Sequence, residues 1–219
     1  ICKYAKEVCR FEFLTIITNG TMNIERYYPV LRYINQLNIS IDGYSEKTYF
    51  IRDKGIMPKV LDTVRRLKDL IEINMIVTLH RKNIKYMKEY NELAKKMGVR
   101  FSFSIFTVDE TNPLFNEYVL SDIDLIEIER ILMELNIDAS IEDIPIGGEA
   151  ILCRSRCEAG NKLISIDARG DVYPCHMLHK KELLLGNSLK QEIRDIVFSE
   201  TNPFQNLHVD NFEDCSECK

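Results

Sequence analysis

Four short apolar runs alternate with amphipathic stretches through the first 140 residues, and this rhythm constrains the fold most. The runs are Phe13–Thr18 (FLTIIT), Leu37–Ile41 (LNISI), Glu72–Leu79 (EINMIVTL) and Val99–Phe106 (VRFSFSIF). Each is a short run of five to eight residues, β-branched above all in Phe13–Thr18, which predicts strands. Between them the period changes from two to between three and four. Residues 23–34 predict a helix carrying Ile24, Tyr27, Tyr28, Leu31 and Ile34 on one face. A short helical turn is expected over 45–52. Residues 57–69 predict a clearer helix, with Val60, Leu61, Val64, Leu67 and Leu70 in register. Helices are also expected over 84–97, closed by Gly98, and over 121–136, opened by Ser121. Strand–helix alternation at this spacing means parallel strands joined by right-handed crossovers. Ligands in such sheets sit at the carboxyl ends of the strands. Chemistry is therefore expected after Thr18, Ile41, Leu79 and Phe106. Four strands are too few to close a barrel.

The texture changes near residue 140. Pro145, Gly147-Gly148, short strands and cysteines replace the long helices. Leu163–Asp167, the turn Ala168-Arg169-Gly170 and Asp171–Tyr173 predict a tight hairpin. Residues 188–198 predict one more helix. The expected division is 1–140 and 141–219.

Composition narrows the function classes. The chain is 45% hydrophobic and 29% charged with 9 Gly and 6 Pro, which excludes a disordered or collagen-like polymer. A net charge of −5 argues against a nucleic-acid partner. No apolar run approaches the roughly 18 residues of a membrane span, and no segment resembles a signal peptide. A cytoplasmic location is expected.

Five of the seven cysteines follow residue 150: Cys153, Cys157, Cys175, Cys215 and Cys218. Cys2 and Cys9, on an expected helix, suit structural filler. The later five form C-x3-C and C-x2-C pairs with one cysteine directly after the hairpin, which is metal-ligand spacing. A disulfide framework lacks a secretory context, and five is an odd number. Zinc held by Cys175, Cys215 and Cys218, with His176 or His179 as fourth ligand, is one reading. An iron–sulfur cluster is another, because both take thiolates. Five cysteines overfill one four-ligand site and cannot fill two.

Cys157-Glu158-Ala159-Gly160, Leu163–Asp167 and Gly170-Asp171-Val172-Tyr173-Pro174-Cys175 closely resemble the cysteine-rich SPASM extension of radical S-adenosylmethionine enzymes. Cys215-Ser216-Glu217-Cys218 resembles the start of the extension's next cysteine run. In the first half, Thr18-Asn19-Gly20-Thr21 resembles an element at the third strand of the radical SAM barrel. Asn38–Gly43 (NISIDG) resembles one at the fourth, Arg52-Asp53-Lys54-Gly55 the segment after it, and Asn83-Ile84 another recurring position. The C-x3-C-x2-C loop that holds the catalytic cluster in that family is absent, as is the glycine-glycine-glutamate element of the second strand. The expectation is a piece of a longer protein, lacking strands one and two and part of the extension.

The resemblance implies an α/β fold: the C-terminal part of a partial (β/α)6 barrel followed by a small α+β extension. It implies [4Fe–4S] clusters and S-adenosylmethionine as cofactors, with zinc the alternative metal. Asn19, Ser40 and Asp42 would line the cofactor edge, and Arg52 would meet the methionyl carboxylate. Cys153, Cys157 and Cys175 would ligate one auxiliary cluster, and Cys215 and Cys218 would begin a second. The implied activity is modification of a peptide or protein substrate, such as thioether formation or sulfatase maturation. Reductive cleavage of S-adenosylmethionine would draw its electron from a flavodoxin or ferredoxin. The competing function is a non-catalytic Cys-rich module that binds zinc or docks a partner. No residue identifies itself as a catalytic acid or base.

Overall fold

The computed structural model describes residues 1–48, 55–108, 110–138 and 158–205. The chain divides into two units, Ile1–Gly148 and Glu149–Lys219. The expected boundary at 140–141 lies outside the described residues.

In the first unit, α1 (Cys2–Glu7) precedes β1 (Thr15–Thr18), α2 (Tyr28–Leu31), β2 (Gln36–Ile41), α3 (Met57–Leu67), β3 (Glu72–Leu79), α4 (Met87–Met97), β4 (Arg100–Ile105), α5 (Phe115–Tyr118) and α6 (Asp122–Asp138). The four strands pair in parallel in the order β1-β2-β3-β4. Spatial order equals chain order, so every crossover runs the same way and places its helix on the same face. This is the winding of a barrel, not of a doubly wound sheet, whose order reverses at a switch point.

The helix-covered face explains the alternation along the strands. Leu37, Ile39 and Ile41 of β2 are buried, as are Ile73, Met75, Val77 and Leu79 of β3 and Phe101 and Phe103 of β4. They pack against Val60, Val64 and Leu67 of α3, Met87, Tyr90, Ala94 and Met97 of α4, and Ile128, Ile131, Leu132 and Leu135 of α6. Each Val, Leu, Ile, Phe or Met among them contributes roughly 1.5–3 kcal/mol by leaving water.

Several elements depart from the sequence expectation. The helix expected over 23–34 is a 3-10 turn at Ile24–Arg26, capped by Asn23, followed by the one-turn α2. Pro29 sits in the first turn of α2, where its missing N–H costs nothing but where no earlier helix can run through it. The run 13–18 is not a buried strand. Pairing begins at Thr15, Phe13 precedes it exposed, and Ile17 is exposed because it stands opposite Asn38 on the face that the helices do not cover. Helix α1 ends at Glu7, so Cys9 lies exposed beyond it.

The second unit contains β5 (Ser165–Ile166), β6 (Asp171–Tyr173), β7 (Gly186–Asn187) and α7 (Ile193–Val197). The expected hairpin is β5–β6, and β7 adds a third antiparallel strand that the sequence did not signal. Asp167 Oδ1 closes the turn by accepting the amides of Arg169 (2.8 Å) and Asp171 (3.0 Å). The helix expected over 188–198 is confined to α7, and residues 187–191 turn instead. Among the described residues no helix is long and apolar enough to cross a membrane.

Candidate functional site

Three of the four strand ends at the carboxyl edge of the sheet carry the residues of interest. At the first, Asn19 and Gly20 follow β1. Gly20 has φ +70°, and a Cβ there would sit 2.9 Å from Ile39 Cγ2, so the tight turn after β1 requires glycine. Thr63 Oγ1 of α3 donates to the Gly20 carbonyl at 2.8 Å and pins the turn to the helix layer. The Asn19 carboxamide oxygen accepts from Thr21 N (3.1 Å) and Thr21 Oγ1 (2.9 Å). Asn19 is thus exposed and engaged in its own turn.

At the second end, Thr18 pairs with Ile39, so Asn19 and Ser40 stand one step further along neighbouring strands. Ser40 lies on the face opposite Ile39 and Ile41 and is half-buried. Asp42 is 3% exposed. Its carbonyl accepts from the Tyr90 hydroxyl at 3.1 Å, and burial pushes that phenol well above its ordinary range. The loop after Asp42 turns around Thr48, a buried residue that the sequence reading did not single out. Thr48 Oγ1 accepts the amides of Tyr44 (3.0 Å) and Ser45 (3.1 Å) and donates to the Ser45 carbonyl at 2.9 Å. Replacing Thr48 by Val keeps the shape and strands two amides. The expected cost is about 1–3 kcal/mol, read in a urea melt, together with faster amide exchange across 43–48. An unchanged melt would show the hydroxyl to be idle. Arg52 lies outside the described residues.

At the third end, His80 and Asn83 follow β3, and both are fully buried. Asn83 Oδ1 accepts from His80 N at 2.8 Å, and its Nδ2 donates to the Thr78 carbonyl at 2.9 Å, so one side chain closes the whole turn. The Lys82 amide donates to His80 Nδ1 at 3.2 Å, and the ring meets Tyr118 of α5 edge-on at 5.1 Å. Burial, with the Lys82 charge nearby, lowers the His80 pKa to about 4. His80 is therefore a neutral imidazole at the strand tips, with its proton on Nε2. Its only sequence signal was its place directly after an expected strand.

In the second unit, Cys175 follows β6 through Pro174. Its thiol is half-buried and accepts from the Met177 amide at 3.4 Å, with His176 Nδ1 at 3.8 Å. His179 is turned to other work: its ring stacks on Tyr173 at 4.3 Å and its Nε2 lies 2.8 Å from Ser165 Oγ. Of the two histidines considered as zinc ligands, His176 is the one beside the thiol. Cys153, Cys157, Cys215 and Cys218 lie outside the described residues. Among the described residues no three His, Cys, Asp or Glu side chains converge on one point. A thiol on a rigid hairpin exit, already accepting a backbone N–H, fits a thiolate-ligated metal or cluster in donor chemistry.

Residues 157–219 match the SPASM family, described as an iron–sulfur cluster-binding domain. No curated protein sequence matches the chain. Among solved structures, native anSMEcpe with bound AdoMet superposes with a TM-score of 0.73 at 16% identity over 94% of this chain and 62% of that one. The same protein with AdoMet and the Kp18Cys peptide gives 0.74 at 15% identity over 94% and 63%. SuiB from Streptococcus suis gives 0.65 at 14% identity over 87% and 49%. The chain thus spans less than two thirds of each. At these identities the likeness establishes the fold alone: a parallel α/β barrel-type sheet and a small C-terminal unit.

Proposed function

We propose that this chain is part of a radical S-adenosylmethionine enzyme that modifies a peptide or protein substrate and carries auxiliary [4Fe–4S] clusters in its SPASM domain. The observation that carries the reading is the iron–sulfur domain match over 157–219, with Cys175 presented on a hairpin exit. The parallel sheet, whose strand tips hold Asn19, Ser40 and Asp42, supports the barrel half of the reading. In this reading residues 1–140 are the barrel part and 141–219 the cluster part. S-adenosylmethionine, when bound, supplies a radical that takes hydrogen from the substrate. Asn19, Ser40, Asp42 and Arg52 hold it at the sheet edge. Cys153, Cys157 and Cys175 ligate one cluster, and Cys215 and Cys218 contribute to another. Electrons come from a flavodoxin or ferredoxin, and the protein works in the cytoplasm.

Anaerobic reconstitution with iron and sulfide, followed by metal analysis and electron paramagnetic resonance, tests this. The expected result is bound iron with matching sulfide and a cluster signal that Cys175→Ala alters or abolishes. Bound zinc without iron or sulfide would overturn the reading and favour a Cys-rich binding module.

A further inference from the structure

One face of the four-stranded sheet is covered by helices, and the other is not an apolar mirror of it. Barrels that fill their own interior do so with branched apolar side chains. Here the opposite face carries Asn38 and Ser40 on β2, Asn74 and Thr78 on either side of Ile76 on β3, and Ser102 and Ser104 on β4. The parallel register aligns them in rows. Asn38 stands opposite Asn74, and Thr78 opposite Ser104. Some of these groups satisfy one another: Asn74 Nδ2 donates to Ser102 Oγ at 3.0 Å, and the Thr78 and Ser104 hydroxyls are 3.2 Å apart.

Two do not. The carboxamide oxygens of Asn38 and Asn74 are buried and have no hydrogen-bond partner. Buried polar atoms in folded proteins are almost always paired. Two orphans on adjacent strands at the same register mark a place where the partner comes from outside these strands. Neighbouring strands lie about 4.8 Å apart, so both oxygens can address one ligand group.

The charge of the surroundings narrows that group. The end of this face is closed by Gln36, Glu72 and Arg100, in which Gln36 Nε2 and Arg100 Nη1 each donate to Glu72 Oε1 at 2.7 Å. That carboxylate is consumed by its neighbours, and the one other ionised side chain of the three strands at the row, Arg100 opposite Asn74, is turned to Glu72. The site offers neutral acceptors, which suit a neutral N–H donor better than a cation.

We propose that Asn38 and Asn74 form an amide-recognition pair that receives N–H groups of the peptide substrate. The identity of the ligand as a peptide rests on the function proposed above. The pair acts by binding and orienting, deeper in the sheet than the strand tips at which Ser40 and Asp42 stand.

The test uses N-acetylglycinamide, a minimal neutral peptide, with methyl acetate as a probe lacking N–H. Binding is followed by ligand-detected NMR on the whole chain, on Asn38→Leu and on Asn74→Leu, alongside thermal melts. The expected result is binding of the amide but not the ester, weakened about tenfold or more by either substitution. The melting temperature should rise, because an orphaned acceptor is removed. Amide binding that is absent, or unchanged by the substitutions, overturns the proposal. So does a fall in melting temperature with binding retained, which would make the row a structural one satisfied by buried water. If leucine prevents folding, Asn38→Ser and Asn74→Ser shorten the side chain and should weaken binding in the same way. Iron and sulfide are measured on the same samples. Bound zinc in their place would sink the enzymatic reading while leaving the amide pair to stand or fall on its own data.

Discussion

Substituting Gly160 by Ala is expected to unfold the second unit. Gly160 has φ +69°, and a Cβ built there would lie 2.4 Å from Phe204 Cβ and 3.0 Å from its Cγ. Phe204 Cβ is attached directly to its backbone, so no rotamer change relieves the clash. The residue is also the unit's junction. Its amide donates to the carbonyls of Leu163 and Pro174, both at 2.8 Å, and its carbonyl accepts from Asn202 Nδ2 at 2.8 Å. Asn202, itself buried, donates at 2.7 Å to the Val197 carbonyl at the end of α7, and its Oδ1 accepts from Phe204 N at 3.0 Å. Left-handed strain costs about 1–2 kcal/mol for a non-glycine residue, and overpacking adds about 1–3 kcal/mol. The sum approaches the whole stability of a domain this small. The expected readout is rapid proteolysis of the C-terminal third while residues 1–138 stay protected, with loss of any cluster bound through Cys175. Native-like proteolysis of Gly160→Ala would show that the Phe204 segment yields. Asn202→Ala, which removes three hydrogen bonds without a clash, should weaken the same unit by a smaller amount.

The parallel sheet was legible because three of its strands are long and their helices strictly periodic. Val60, Val64 and Leu67 announce α3 without ambiguity, and the helix packs as that stripe predicts. The misreadings have local causes. Apolar content over 23–34 reads as a helix, but Pro29 decides where one can begin. A β-branched run reads as a strand, but nothing in Phe13–Thr18 says which of its faces the helices cover, and so whether Ile17 is covered. Strand β7 is two residues long and has no pattern to find.

The candidate site divides in the same way. That Asn19, Ser40 and Asp42 stand near strand tips follows from topology, and Cys175 from its hairpin. The polar row was also written in the sequence, as N-x-S, N-x-x-x-T and S-x-S in three consecutive strands. Parallel strands covered on both faces read as continuous apolar runs, so this alternation already indicated one face that is not packed by apolar side chains. Thr48 and His80 carried no such signal. Their importance comes from the backbone groups they meet across a turn, which a single chain of letters does not display.

Acid is expected to weaken the first unit through His80. In the unfolded chain this imidazole titrates at its ordinary 6.5; in the fold, burial and the Lys82 charge lower it to about 4. A depressed histidine pKa means that the unfolded state takes up a proton over a range where the folded state refuses it. The contribution is therefore fully present above pH 6.5, declines as the pH falls from 6.5 to 4, and changes no further below 4. At about 1.4 kcal/mol per pH unit, the loss reaches about 3.5 kcal/mol at most. The expected observation is a steep fall in the urea midpoint between pH 6.5 and 4, markedly flattened in His80→Asn, whose carboxamide oxygen can still accept from the Lys82 amide. A direct NMR titration of the His80 ring separates this from a general acid effect. The native ring should stay neutral until about pH 4, and a native midpoint near 6.5 would remove the histidine from the account. Protonation would also put a hydrogen on Nδ1, where the Lys82 amide now donates. The turn after β3 should then open before the sheet does, so amide exchange at 80–83 should accelerate at a higher pH than exchange within β2 and β3.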